Sequence, residues 1–279
     1  PYTRHAAVHA AALATLDDVS GGRAFCGLGV GAGLEPLGIA YPRPVRTLRE
    51  TIQAIRGLLD GETVSLRGDT VALHGARLRC PPGRRVPIAI GSRSPGVMRL
   101  AGELADIALV GARHLTPALV AQYRGWLAEG AVRVGRDPAA IQVLPRITLC
   151  VSHDGARAID SVKRYAAHYL EILGDRGPPV EPGLRAAIIA SLRQASGWYF
   201  DLERHDPPEL LALVDADLAR AFAVAGTPAE CAARVREVLA LGFEGVSCNL
   251  APVVGGTTAA GLQQTLVGAA EMLGLLRAG

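Results

Sequence analysis

The sequence predicts a parallel α/β fold, and two features of it carry that prediction. Short apolar runs alternate with helical patterns along the 279 residues, and three of those runs end in small residues before a polar turn and a helix. They span residues 23–33, which close on Gly27, Gly29, Gly31 and Gly33, residues 86–92, and residues 106–112. Glycine at every second position removes side chains, so a flat ligand or a second backbone can approach closely. Three such strand ends imply a shared pocket at one rim of a parallel sheet or barrel.

The elements follow in order. A first helix is expected over 5–16, with Ser20-Gly21-Gly22 as its exit turn, and a strand over 24–30. In residues 44–59, Leu48, Ile52, Ile55 and Leu59 recur at steps of three or four and make one apolar stripe. Pro44 suits the first turn of that helix, and Asp60-Gly61 ends it. Residues 63–79 switch to short alternation about Gly68-Asp69 and read as an inserted β-hairpin. Strands at 87–91, 107–110 and 142–151 each lead into a helix, at 96–104, 117–134 and 156–173. Gly177-Pro178-Pro179 and Glu181-Pro182-Gly183 then break the chain, and 184–195 and 208–214 read as extra helices. A helix over 227–241 has Thr227 as N-cap, Pro228 at its first position and Glu230 in its first turn. A strand over 245–250 and a helix over 259–276 close the chain.

This gives five core strands, whereas a closed (β/α)8 barrel needs eight and typically spans about 250 residues. Either the sheet is open or the chain lacks its beginning.

Composition narrows the function classes. No apolar run approaches the roughly 20 residues of a membrane-spanning helix, and the first five residues hold no apolar signal core, so no membrane partner and a cytoplasmic location are expected. The five cysteines are widely spaced with no Cys-x-x-Cys pair, and Cys26, Cys150 and Cys248 sit inside apolar strand-like runs. Buried reduced thiols are expected, with neither a disulfide framework nor a zinc site. The net charge of +3 is spread along helices opposite Glu and Asp, which is a solvated face and argues against a nucleic-acid partner. Lys163 is the only lysine, a bias of the kind a GC-rich genome imposes.

The order of several short segments resembles the bacterial-luciferase-like monooxygenase superfamily. They are Pro-Tyr-Thr-Arg-His at the start, Ala-Thr-Leu-Asp-Asp-Val-Ser-Gly-Gly-Arg, and Gly-Leu-Gly-Val-Gly. Leu48-Arg-Glu-Thr-Ile, Leu58-Leu-Asp-Gly-Glu-Thr-Val-Ser, Ala76-Arg-Leu, Ser94-Pro-Gly-Val-Met-Arg-Leu-Ala-Gly-Glu-Leu-Ala-Asp, Gly135-Arg-Asp-Pro and Ala225-Gly-Thr-Pro-Ala-Glu-Cys continue it. The branch it is most similar to is the coenzyme F-420-dependent oxidoreductases, such as methylenetetrahydromethanopterin reductase. The resemblance implies a single TIM barrel domain over 1–279, with the hairpin at 63–79 and a helical insertion at about 177–214. It also implies that the family's first three strands are missing here, because they precede the Pro-x-x-Arg-His segment. A homodimer and a small-molecule substrate are implied as well.

Three functional readings stand side by side. The first is hydride transfer between coenzyme F-420 and an organic substrate. The second is oxygenation with reduced FMN as the flavin. The third is a non-catalytic cofactor-binding or silent truncated paralogue.

The turn Gly91-Ser92-Arg93-Ser94-Pro95 is the sharpest local chemistry. Ser94 can cap a helix that begins at Pro95, so free N–H groups and the positive dipole end face the rim beside a fixed charge on Arg93. A capped helix with a surface arginine explains the same residues, and the resemblance tips the balance toward a cofactor phosphate. It also places Gly111 and Ala112 over that phosphate, with Arg113 and His114 as charge partners or plain surface residues. Gly29, Gly31 and Ala32 fall where the ring system passes. Relatives acting on sugar phosphates carry a carboxylate at the position of Ala32, and the methyl here speaks against that substrate class. Glu35 can replace the lost proton donor, although an exposed loop glutamate is the plainer reading. His5 is expected to hydrogen-bond its own helix start more than to face the pocket. Asn249 is a modest candidate, and Tyr41, Trp198 and Tyr199 either wall a substrate pocket or simply pack. The catalytic residues are left unassigned.

Overall fold

The structure is a computed structural model that describes residues 1–31, 34–201 and 204–278. It divides into two compact units, the first comprising Pro1–Gly111 and Ala118–Leu144, the second Ala112–Pro117 and the chain from Pro145 onward.

In the first unit, α1 (Ala6–Val19) starts at His5, whose ring Nδ1 accepts the amide of Ala7 at 3.3 Å. His5 is therefore the structural cap expected of it, and its other ring nitrogen lies 3.3 Å from the Ala72 carbonyl oxygen. Strand β1 (Cys26–Leu28) is followed by α2 (Pro44–Leu59), whose bounds and buried stripe are those the sequence predicts. The hairpin β2 (Val64–Arg67) and β3 (Ala72–Ala76) is antiparallel with a bulge between Val64 and Leu66. Its apolar residues Val71 and Leu73 share one core with Ala6, Ala10 and Ala14 of α1 and with Ile55, Leu58 and Leu59 of α2. Glu50 of α2 holds the turn in place. Its carboxylate accepts the amides of Asp69 (3.0 Å), Thr70 (2.9 Å) and Val71 (3.1 Å), and the Thr70 hydroxyl at 2.7 Å.

Strand β4 (Ile88–Ser92) then leads to α3 (Pro95–Leu104), β5 (Ile107–Val110) and α4 (Pro117–Arg133). The strands β1, β4 and β5 pair in parallel in that order. Asp106 fixes the approach to β5 by accepting from Arg56 at 2.6 Å, Arg85 at 3.1 Å and the Ile88 amide at 2.8 Å.

Strand β6 (Gln142–Val151) carries the chain into the second unit, followed by α5 (Gly155–Leu173), α6 (Pro182–Leu192), α7 (Pro208–Leu213) and α8 (Ala216–Phe222). Next come β7 (Val224–Gly226), α9 (Pro228–Leu239), β8 (Ser247–Leu250) and α10 (Thr258–Ala278). β6 is flanked by β7 on one side and β8 on the other, both parallel, with Leu149 opposite Val224 and also opposite Leu250. The expected count of five core strands is corrected to six among the described residues, because β7 is a three-residue strand too short to show a period. Buried apolar residues of α5, α6, α7 and α8, including Tyr165, Leu170, Ile188, Leu210 and Phe222, form the larger core of this unit. α9 begins with a capping box in which Thr227 and Glu230 satisfy each other's backbone donors. No helix among the described residues is long and apolar enough to cross a membrane.

Candidate functional site

Within the first unit, three strand ends that the sequence singled out lie side by side. Ile90 of β4 is in register with Leu28 of β1 and with Ala108 of β5, and Ser92 is opposite Val110. A Cβ at Gly29 would stand 3.3 Å from the Gly91 carbonyl oxygen, and one at Gly91 would stand 3.3 Å from Leu109 Cβ. At Gly111 a Cβ would come within 2.8 Å of the Ser92 carbonyl oxygen and 2.9 Å of Arg93 Cγ. These glycines let backbones meet, one of the two uses that glycine-ended strands allow. Gly31 has a different reason, a φ of 95°, which an L side chain rarely adopts. Ala32 lies outside the described residues.

The turn between β4 and α3 places Ser94 at the N-cap with Pro95 in the first turn, as expected, but the Ser94 hydroxyl makes no cap hydrogen bond. Ser92 takes the local role instead, its Oγ accepting the Ser94 amide at 2.9 Å. That bond uses a lone pair of Ser92 and leaves its hydroxyl proton to donate elsewhere. The start of α3 thus keeps its positive end without a side-chain cap. Arg93 is exposed, and its carbonyl oxygen accepts the Tyr123 hydroxyl at 3.4 Å.

The remaining candidates resolve individually. Ala112, Arg113 and His114 belong to the second unit. Ala112 is buried, Arg113 donates to the Arg146 carbonyl oxygen at 3.0 Å and lies 5.3 Å from the Tyr169 ring centroid, and His114 Nδ1 is 3.4 Å from the Ala221 carbonyl oxygen. Arg113 and His114 are thus held by contacts and are not plain surface residues. Glu35 is exposed, and its carboxylate accepts the Tyr41 hydroxyl at 2.5 Å. This bond holds its carboxyl below the usual carboxylate range and raises the tyrosine, so Glu35 is an ionised acceptor there. Asn249 is half-buried, in register with the buried Thr148. Tyr199 packs among Tyr165, Tyr169 and Phe200, whereas Trp198 stacks on Tyr199 and stays exposed.

Three of the thiols are buried out of reach of chemistry. Burial pushes Cys26 and Cys150 up to about 11 and Cys231 up to about 12, which keeps them protonated and inert. The expectation of a buried Cys248 is corrected: the residue is exposed on β8, which among the described residues pairs with β6. No group of three His, Cys, Asp or Glu residues able to hold a metal occurs among the described residues.

Comparison with known proteins gives the setting of this geometry. The sequence pattern described as luciferase-like monooxygenase matches residues 1–245. The chain is 34% identical over 249 residues to the 5,10-methylenetetrahydromethanopterin reductase of Methanolobus tindarius, covering 87% of this chain and 72% of that protein. It is 28% identical to the enzyme of the same name from Archaeoglobus fulgidus, over 85% of this chain and 70% of that one. The solved coenzyme F-420-dependent tetrahydromethanopterin reductase of Methanopyrus kandleri superposes with a TM-score of 0.75 at 26% identity, over 96% of this chain and 79% of that chain.

Proposed function

The chain belongs to the luciferase-like monooxygenase family, and on that premise we propose that it is an oxidoreductase moving a hydride between coenzyme F-420 and an organic substrate. The observation that carries the reading is the 34% identity to a methylenetetrahydromethanopterin reductase, sustained over 249 residues. The names of the relatives make a one-carbon-bearing pterin the first substrate to try.

The residues of the first unit fit a phosphate-bearing cofactor. The support is the turn from Gly91 to Ser94, where an exposed guanidinium, a Ser92 hydroxyl with its proton to donate and a helix start without side-chain cap come together. Arg93 would neutralise the phosphate, Ser92 and Ser94 would donate to it, and the start of α3 would add its dipole. Gly111 keeps the neighbouring strand end against this turn, through its amide bond to the Ser92 carbonyl oxygen at 2.9 Å. Gly29 lets the end of β1 close on the Gly91 carbonyl oxygen, and Gly31 adds no side chain beyond it, which would favour a planar ring at this rim. When bound, the deazaflavin supplies the carbon that gives or takes the hydride. The protein's part is orientation and electrostatics at this rim.

Titration of the purified chain with F-420, followed by addition of a methylene-bearing pterin, tests the reading. Fluorescence quenching and then substrate-dependent change in the deazaflavin spectrum are expected. Oxygen consumption with reduced FMN, without response to F-420, would replace this reading by the monooxygenase one.

A further inference from the structure

Ser152 and His153 follow the end of β6, and α10 runs past them to leave a pocket of about 550 Å3, within the size range of small-molecule sites. Gly268 lets the two elements meet, because a Cβ there would stand 2.7 Å from Val151 Cγ1 and 3.2 Å from the Val151 carbonyl oxygen. Ala260 and Val267 give the pocket an apolar wall, and Gln263 and Gln264 line it beside them. Both glutamines are exposed, and neither carboxamide makes a hydrogen bond among the described residues. The Ser152 hydroxyl accepts the Asp154 amide at 3.2 Å and keeps its proton to donate. His153 is held by Glu271, whose carboxylate lies 3.2 Å from Nε2. A carboxylate only accepts, so Nε2 carries the proton and the neutral ring presents Nδ1 as an acceptor. No lining residue carries a permanent charge.

We propose that this pocket is a further small-molecule site, which takes a neutral planar ring bearing a carboxamide. Two adjacent glutamine side chains each offer a donor and an acceptor, and a carboxamide answers both with its own pair. A carboxylate in the same place has no donor for the glutamine carbonyl oxygens and brings a charge that no lining residue offsets. The apolar wall of Ala260 and Val267 suits one face of the ring, and the volume leaves room for a substituent on it. The site uses residues of the second unit alone, so it does not depend on the deazaflavin reading.

Titration of the full isotope-labelled chain with nicotinamide, followed by NMR at the glutamine side-chain NH2 signals, tests the proposal, with nicotinate as the isosteric acid. Saturable shifts of the Gln263 and Gln264 signals are expected, each signal being identified by its loss in Gln263→Glu or Gln264→Glu. Nicotinamide should bind about tenfold more tightly than nicotinate. Either variant keeps the shape of the side chain but loses its donor, and should weaken nicotinamide about fivefold at unchanged Tm. Gln53→Glu, at an exposed glutamine of α2, should leave binding intact. Absence of saturable shifts, nicotinate binding as tightly as nicotinamide, or equal loss in Gln53→Glu would overturn the assignment. If one pocket variant unfolds, the other decides.

Discussion

The Gly111 amide donates to the Ser92 carbonyl oxygen at 2.9 Å, so the end of β5 lies directly against the turn that carries Arg93. A methyl at this glycine has nowhere to go, because its Cβ would press on backbone at Ser92 and on the root of the Arg93 side chain. Gly111→Ala should therefore destabilise the protein by roughly 1–3 kcal/mol, as overpacking generally does. It should also weaken F-420 binding by moving Arg93. Thermal denaturation and fluorescence titration of the same preparation check both effects.

Glu50 gives a pH prediction. Burial alone would raise its pKa, but hydrogen bonds from Arg46, the Thr70 hydroxyl and the amides of Thr70 and Asp69 hold it well below the usual carboxylate range. A group depressed in the folded state adds stability that is complete above its unfolded pKa of about 4.3 and is lost as pH falls toward the folded value. Melting temperature should be flat above about pH 5 and fall below it. Glu50→Gln should melt lower at neutral pH, by roughly 1–3 kcal/mol, with a shallower acid limb. A parallel pH profile for wild type and variant would contradict this.

The α9 capping box makes a smaller, local prediction. Thr227 accepts the Glu230 amide at 3.3 Å, and Glu230 in return accepts the Thr227 amide at 2.8 Å. Thr227→Ala should cost about 1 kcal/mol in urea unfolding, with an unchanged m-value.

These contacts show how unevenly the sequence exposes the fold. The stripe Leu48, Ile52, Ile55 and Leu59, bounded by Pro44 and Asp60-Gly61, fixes α2 to the residue, because period, start signal and stop signal agree. The Thr227-Pro228-x-Glu230 start is legible for the same reason. By contrast, α8 has seven residues and β7 has three, too few for any periodicity, and both escape the reading. The site divides in the same way. The Ser94-Pro95 helix start is visible in sequence, but the choice of Ser92 over Ser94 as hydrogen-bond acceptor depends on rotamers that no pattern encodes.

Where the sequence was least legible, one arginine organises the chain. Arg164 of α5 is 7% exposed and reaches Asp206 at 2.6 Å, the Ser196 and His205 carbonyl oxygens at 3.0 and 3.1 Å, and that of Gly197 at 2.7 Å. Without Arg164, Asp206 still accepts from Arg204 at 2.8 Å and the Ser196 and His205 carbonyl oxygens keep each other's amides, but the Gly197 carbonyl oxygen loses its donor and the segment loses its tie to α5. Arg164→Met should therefore cost about 1–3 kcal/mol and raise hydrogen exchange first around residues 195–201. An exchange pattern that rises uniformly would contradict that placement.

The most direct test of the account is an F-420 fluorescence titration of the wild-type chain beside Arg93→Gln. The account predicts saturable quenching for the wild type and an affinity about tenfold weaker for the variant at equal Tm. Quenching by reduced FMN alone, or an Arg93→Gln curve that overlays the wild type, would contradict it.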